Sequence, residues 1–257
     1  SRARTRAVPR ERALPAIATG NRHPEISLPA AFTAFRSVFE KTGKNWASTV
    51  QLSATREMTL DENIDARDGE NPVAIGHTRV SIRHLYHCGL WAAARAGWRE
   101  GYTAEADHII VTGANEREIA KSLEAAKEAI IHASGYTKFT TDASRMFELE
   151  ADLRHPRAWT PSEVEQRFEQ LFDPGERKWI LEEFSQRFST GRRDLRLDRE
   201  QIVRLAVKFG RSLKMNEELF DAIRAAKRGA DFDFEPSIDE ADTLTTPEEM
   251  YFYMRWL

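Results

Sequence analysis

Hydrophobic and polar positions along the chain switch between two periods. In DFDFEPSIDE (231–240), the acids Asp231, Asp233, Glu235 and Asp239 alternate with Phe232, Phe234 and Ile238. Period two marks a strand whose successive side chains face opposite ways, so the acids share one face and the apolar residues the other. Four more segments read as strands or strand ends: PAIATGNR (15–22), NWASTVQLSATRE (45–57), AEADHIIV (104–111) and YTKFTTDAS (136–144). Between them the period lengthens to that of a helix. Residues 27–43 open with Ser27, carry Pro29 in the first turn, space Ala31, Phe35, Val38 and Phe39 helically and stop at Gly43. Residues 78–98 form a second helix pattern. Residues 115–135 form a third, with Asn115 as cap, Glu118 three places on, Ile119, Leu123, Ala126 and Ile130 on one face, and Gly135 as terminator. From 161 to 228 the pattern is helical almost throughout, and a last helix starts at Thr246-Pro247.

Strand and helix alternate with no hairpin partner after any strand, which predicts an α/β fold with a parallel sheet. The stretch 161–228 interrupts that rhythm as an inserted helical subdomain. In a βα barrel, functional residues sit at the C-terminal ends of the strands. Each predicted strand ends in such residues: Asn21-Arg22, Thr55-Arg56-Glu57, Asp107-His108, Asp142 and Asp239-Glu240. The acids of 231–240 then line a polar barrel mouth, with the phenylalanines packed outward on helices. The plainer reading of that segment is an antiparallel edge strand with a wet acidic face. A lone Asp at a strand end can also cap the next helix, and for Asp142, ahead of Ala143-Ser144, both readings stand. Asp107-His108 is not placed as a cap, because Ile109, Ile110 and Val111 follow it. His84 and His87 read as partly buried helix residues, and Trp91 and Trp98 as core.

Composition narrows the classes. The 257 residues, 41% hydrophobic, suffice for a sizeable core. Charged residues are 31% with a net charge of -3, and no segment interleaves basic and aromatic residues, so nucleic acid is not the expected partner. A single cysteine, Cys88, excludes an internal disulfide framework and fits a reducing, cytoplasmic setting. No apolar run approaches a membrane span. Residues 1–14 are Arg-rich without a following apolar stretch and are expected to be a disordered basic arm.

Three motifs in order along the chain carry a resemblance. YTAEADHI (102–109) resembles an Ala-Asp-His strand end, GYTKFTTDAS (135–144) a Gly-(Phe/Tyr)-Thr-x-Phe-Thr-x-Asp strand, and DFDFEPSIDEADTLTTPEE (231–249) an acidic strand followed by a Thr/Pro-rich turn. TGNR (19–22) and QLSATREMT (51–59) are weaker matches. Together they resemble the tagaturonate epimerase family, sugar epimerases of hexuronate metabolism. There are departures. Asn21 stands where the family usually has Asp, Ile110 stands where it tends to have Lys, and members continue past the position of Leu257. Five strands cannot close an eight-stranded barrel. The resemblance therefore implies a partial, TIM-like (β/α) barrel, with 15–257 as its N-terminal portion and a helical insertion at about 161–228. The open sheet edge is expected to be covered by another copy, by a missing C-terminal half or by the chain's own helices.

The family's reaction inverts C4 of a 2-keto hexuronate, interconverting tagaturonate and fructuronate. The C4 hydroxyl is β to the ketone, so retro-aldol cleavage of C3–C4, rotation of the aldehyde and re-addition achieve the inversion. That route needs a base, a Lewis acid for the enediolate and a cation for the carboxylate. The resemblance implies Asp107, Asp142 and Asp239 as catalytic acids or bases, with Asp239 as the preferred base. Asn21, Arg22, Arg56 and Glu235 would contact a small sugar acid. His108 and Glu240 would hold a divalent Mn, Ni or Zn ion. The alternatives are a non-catalytic sugar-acid-binding relative and another metal-dependent sugar isomerase or aldolase.

Overall fold

The computed structural model describes residues 16–20, 23–44, 47–52, 60, 80–189, 191, 194–238 and 243–257. In chain order these form β1 (Ala16–Gly20), α1 (Pro24–Thr42), β2 (Ala47–Leu52), α2 (Ile82–Arg95), β3 (Thr103–Ile110), α3 (Glu116–His132) and β4 (Lys138–Asp142). There follow α4 (Pro161–Leu171), α5 (Pro174–Phe184), two-residue strands β5 (Phe188–Ser189) and β6 (Asp194–Leu195), α6 (Arg199–Lys227), β7 (Asp233–Ser237) and α7 (Pro247–Trp256). The chain divides into two units. One runs through Asp142 and resumes at Leu219–Ser237, and the other comprises Ala143–Glu218 and Ile238–Leu257.

The first unit is built on a five-stranded sheet of order β1-β2-β3-β4-β7, parallel throughout. This is an α/β fold of successive βα units. Among the described residues the sheet stays open, with β1 and β7 as its edges, and no barrel closes. Val50, Ala104, Ala106, Ile109 and Phe139 are fully buried. Over 232–235 the expected alternation appears. Phe232 and Phe234 pack on Phe220 of α6 at 5.4 and 5.3 Å, while Glu235 turns to the other side, onto Lys138.

Sequence and structure part company on the helix starts and stripes. α1 begins at Pro24, not Ser27, and carries Pro29 inside it. Proline at the first helical position costs nothing, because that N–H has no intrahelical partner. Ser27 then lies within the first turn, where its Oγ donates to the His23 carbonyl. On α2 the buried stripe is Ile82, Leu85, Gly89, Ala92 and Ala93. His84, His87 and Trp91 fall off that stripe and are exposed, Trp91 by 67%. Trp98 is core, at 2%, against Phe35 and Phe39. The start and stripe of α3 are as read: the Asn115 side chain accepts from the Glu118 N–H, and Ile119, Leu123, Ala126 and Ile130 are buried, but the helix ends at His132 with Ala133 as its cap, ahead of Gly135.

The second unit gathers α4, α5, α7 and the first part of α6 around Phe168, Phe172, Ile180, Phe184, Val207 and Phe252. Three of its helices start by the same rule. Thr160, Asp173 and Thr246 are caps, each followed by proline and answered by a glutamate three residues on, Glu163, Glu176 and Glu249. The proline is pre-set for a helix, and the cap and glutamate satisfy each other's backbone N–H. Midway along α6, Gly210 admits the ring of Phe172, whose Cζ would stand 2.4 Å from an added Cβ. Gly210→Ala should therefore destabilise the protein by about 1–3 kcal/mol despite alanine's better helix propensity. A urea titration showing a gain in stability would mean that Phe172 swings aside freely.

Lys208 of α6 lies at the centre of a buried ion cluster. Its Nζ donates to Asp152 Oδ2 at 2.7 Å and to Glu249 Oε1 at 2.5 Å. Arg154 Nη2 reaches the same two carboxylates at 2.6 and 2.7 Å, and its Nη1 holds the Leu244 carbonyl at 2.7 Å. Burial would raise the Asp152 pKa, but hydrogen bonds from Arg154 and Lys208 outweigh it and hold the carboxyl well below its ordinary range. Glu249 therefore does two things: one oxygen caps α7 through the Thr246 N–H, and the other joins the cluster.

Candidate active site

The site is built on a defect in β3. Glu105 pairs with Lys138 and Ala106 with Phe139, but the next pairs are Ile109 with Thr141 and Ile110 with Asp142. Asp107 and His108 together oppose the single residue Thr140, which is a β-bulge. His108 absorbs the extra residue with φ 45, in the left-handed region that costs a side-chain-bearing residue about 1 kcal/mol. In a regular strand Asp107 and His108 would point to opposite faces. The bulge instead brings His108 within reach of both Asp107 and Asp142. His108 Nε2 lies 3.8 Å from Asp107 Oδ1, and His108 Nδ1 lies 3.7 Å from Asp142 Oδ2. The three side chains are only 20%, 15% and 9% exposed.

A second polar group lies on the same sheet face. Lys138 Nζ bridges Glu105 Oε1 at 3.2 Å and Glu235 Oε2 at 2.6 Å. Thr140 Oγ1 bonds Glu105 Oε1 at 3.0 Å and Glu235 Oε1 at 3.4 Å. Burial would lower the Lys138 pKa, but the hydrogen bond to Glu235 and the charges of Glu105 and Glu235 reverse this and raise it. Lys138 is thus a fixed cation. It lies at the start of β4 and Asp142 at its end, so the ladder sits below the His108 group along the strand.

Four of the residues singled out in the sequence are placed by the structure. Asp107, His108 and Asp142 come together, and Glu235 joins the Lys138 ladder on the same face. Asn21, Arg22, Arg56, Asp239 and Glu240 lie outside the described residues. Sequence reasoning missed Glu105, Lys138 and Thr140. The signal was present: Glu105 alternates with Asp107, and Lys138 and Thr140 alternate with Asp142. As for a metal, the donors include one imidazole and two carboxylates, types suited to first-row divalent ions. Yet among the described residues no group of three His, Cys, Asp or Glu is arranged to hold an ion. No described helix is long and apolar enough to cross a membrane.

A parallel βα sheet with a bulge-held histidine between two carboxylates near its strand ends defines an α/β protein whose candidate site lies where such folds place their chemistry. The sequence model of the tagaturonate epimerase family matches residues 76–257, and the chain belongs to that family. Its fold is similar to that of fructuronate-tagaturonate epimerase UxaE from Cohnella laeviribosi. The native structure shares 20% identity at a TM-score of 0.62, over 98% of this chain and 43% of that one. The form with two glycerols shares 22% identity at a TM-score of 0.60, over the same shares. The chain thus spans less than half the length of these relatives. No curated protein matches it.

Proposed function

We propose that the chain acts as a hexuronate epimerase on the tagaturonate–fructuronate pair, with the His108 group as its proton-handling centre. The observation that carries this reading is the bulge that sets both ring nitrogens of His108 against carboxylates, at 3.8 and 3.7 Å. Family membership supplies the substrate class.

His108 takes the proton from the C4 hydroxyl. The C3–C4 bond breaks, its electron pair passes to C3 as an enediolate, and C4 becomes an aldehyde carbon. The aldehyde turns, C3 re-adds to its opposite face, and His108 returns the proton to the new alkoxide. While charged, the imidazolium is stabilised by Asp107 and Asp142, as a carboxylate supports the histidine of a catalytic triad. Arg22 and Arg56 are the candidates for holding the C6 carboxylate through a bidentate pair. Asp239 remains a candidate to exchange the same proton. A Mn, Ni or Zn ion held with His108 and Glu240 is the competing role for His108, and it would supply Lewis-acid stabilisation of the enediolate.

Incubation with tagaturonate in D₂O, followed by NMR, tests the reading. Fructuronate should form with the hydrogen on C4 retained, because that C–H bond never breaks. Deuterium at C4 would rule out the retro-aldol route. Binding of the sugar acid without turnover would instead make this chain a non-catalytic relative. Metal content decides the role of His108. If it is a ligand, purified protein should hold a stoichiometric divalent ion that His108→Ala loses. Equal, substoichiometric metal in both removes the ligand assignment.

A further inference from the structure

The second unit contains a cavity that the proposed epimerisation does not use. It measures about 250 Å³ and is lined by parts of Ala151–Arg154, Leu197–Lys208 and the start of α7. Two lining cations are more than nine-tenths buried, Arg204 at 6% and Lys208 at 2% exposure. Both retain hydrogen-bond donors among the described residues. Arg204 gives Nε to Glu200 and Nη1 to the carbonyls of Ala151 and Trp159, which leaves Nη2. Lys208 has three donors and uses two, to Asp152 and Glu249. Gln201 spends its amide oxygen on the Asp198 N–H and keeps its NH₂ group. Leu197 and Leu205 add apolar wall.

The charges decide what such a cavity suits. Arg154, Arg204 and Lys208 are matched by Asp152, Glu248 and Glu249 around the same space, so there is no net charge to hold a bare anion. Donors with unused capacity on the cavity wall gain from an acceptor placed there. A hydroxyl group both accepts and donates, and neighbouring hydroxyls match a guanidinium fork and a carboxylate together. The C–H face of a sugar ring suits a leucine wall. Drug-sized ligands need roughly 300–1,000 Å³, so this cavity suits a smaller one. We propose that it binds a polyhydroxylated molecule of monosaccharide size, in a site lined by the second unit's own residues.

The test is a titration of the whole protein, followed by ¹H–¹⁵N NMR, with D-galactose in one arm and D-galacturonate in the other. At least one probe should give saturable shifts at the amides of Gln201, Arg204 and Thr246. The neutral arm shows whether hydroxyls suffice, and the acid arm whether a carboxylate is needed. Leu205→Trp, which fills the cavity, should weaken binding roughly tenfold or more, and His108→Ala should leave it unchanged. Gln201→Ala, which removes one donor at an exposed position, reads the same site if the Trp variant does not fold. No saturation with either probe overturns the proposal, as does binding indifferent to both cavity variants. Binding lost in His108→Ala also overturns it, while upholding a sugar site at His108.

Discussion

Replacing His108 with alanine should lower the proposed epimerase turnover by about 10²–10⁴-fold, the usual contribution of a positioned acid–base group. The fold should survive, because the side chain is one of three at a strand end and not part of the buried aliphatic layer. The backbone provides a sharper form of the experiment. His108 holds φ 45, a conformation glycine adopts at no steric cost. His108→Gly should therefore be as inactive as His108→Ala but more stable than it by about 1 kcal/mol. That pairing identifies strain kept for function, since stability and activity would move in opposite directions at one position. Near wild-type turnover in either variant would remove His108 from the chemistry. An alanine variant as stable as the glycine variant would show that the bulge relaxes when the imidazole is gone.

The bulge also marks the limit of what the sequence discloses. AEADHII alternates well enough to predict a strand, and β3 was expected within one residue of each of its ends. Strict alternation, however, puts Asp107 and His108 on opposite faces. Only the shifted register against β4 reveals that they share one, and register is set by a partner 33 residues away in pairs such as Glu105–Lys138. Local signals fared better. Asn115 with Glu118 is complete within four residues and that cap forms as read, and the last helix starts at Thr246-Pro247 as expected. The start of α1 was misplaced because Ser27-x-Pro29 resembles a helix opening, while His23-Pro24 lacks a side-chain cap bond. Glu105 and Lys138 lie back from the C-terminal strand ends where chemistry concentrates, so position along the strand does not single them out.

Lys208 is the residue least legible in the sequence, since a lysine amid RLAVKFGRS reads as one more charge on an amphipathic helix. Its carboxylate partners lie 56 positions before it and 41 after it. Its side chain is 3% exposed, and those of Asp152 and Glu249 are 10% and 5%. Removing one member of such a group leaves the opposite charge buried and unanswered, which typically costs about 3–5 kcal/mol. Lys208→Met, which keeps the aliphatic stem but not the ammonium, should lose that much in a urea titration with little change in slope. The pH dependence separates charge from packing. The folded Asp152 pKa lies below its unfolded value of about 3.9. Its contribution is therefore fully present above that value and lost as pH falls toward the folded one. Without Lys208 less of this contribution exists to lose. The gap between wild type and Lys208→Met should accordingly be widest near neutral pH and narrow as the solution is acidified below about pH 4. A gap that stays constant down to pH 3 would assign the loss to the packing of the lysine stem and not to its charge.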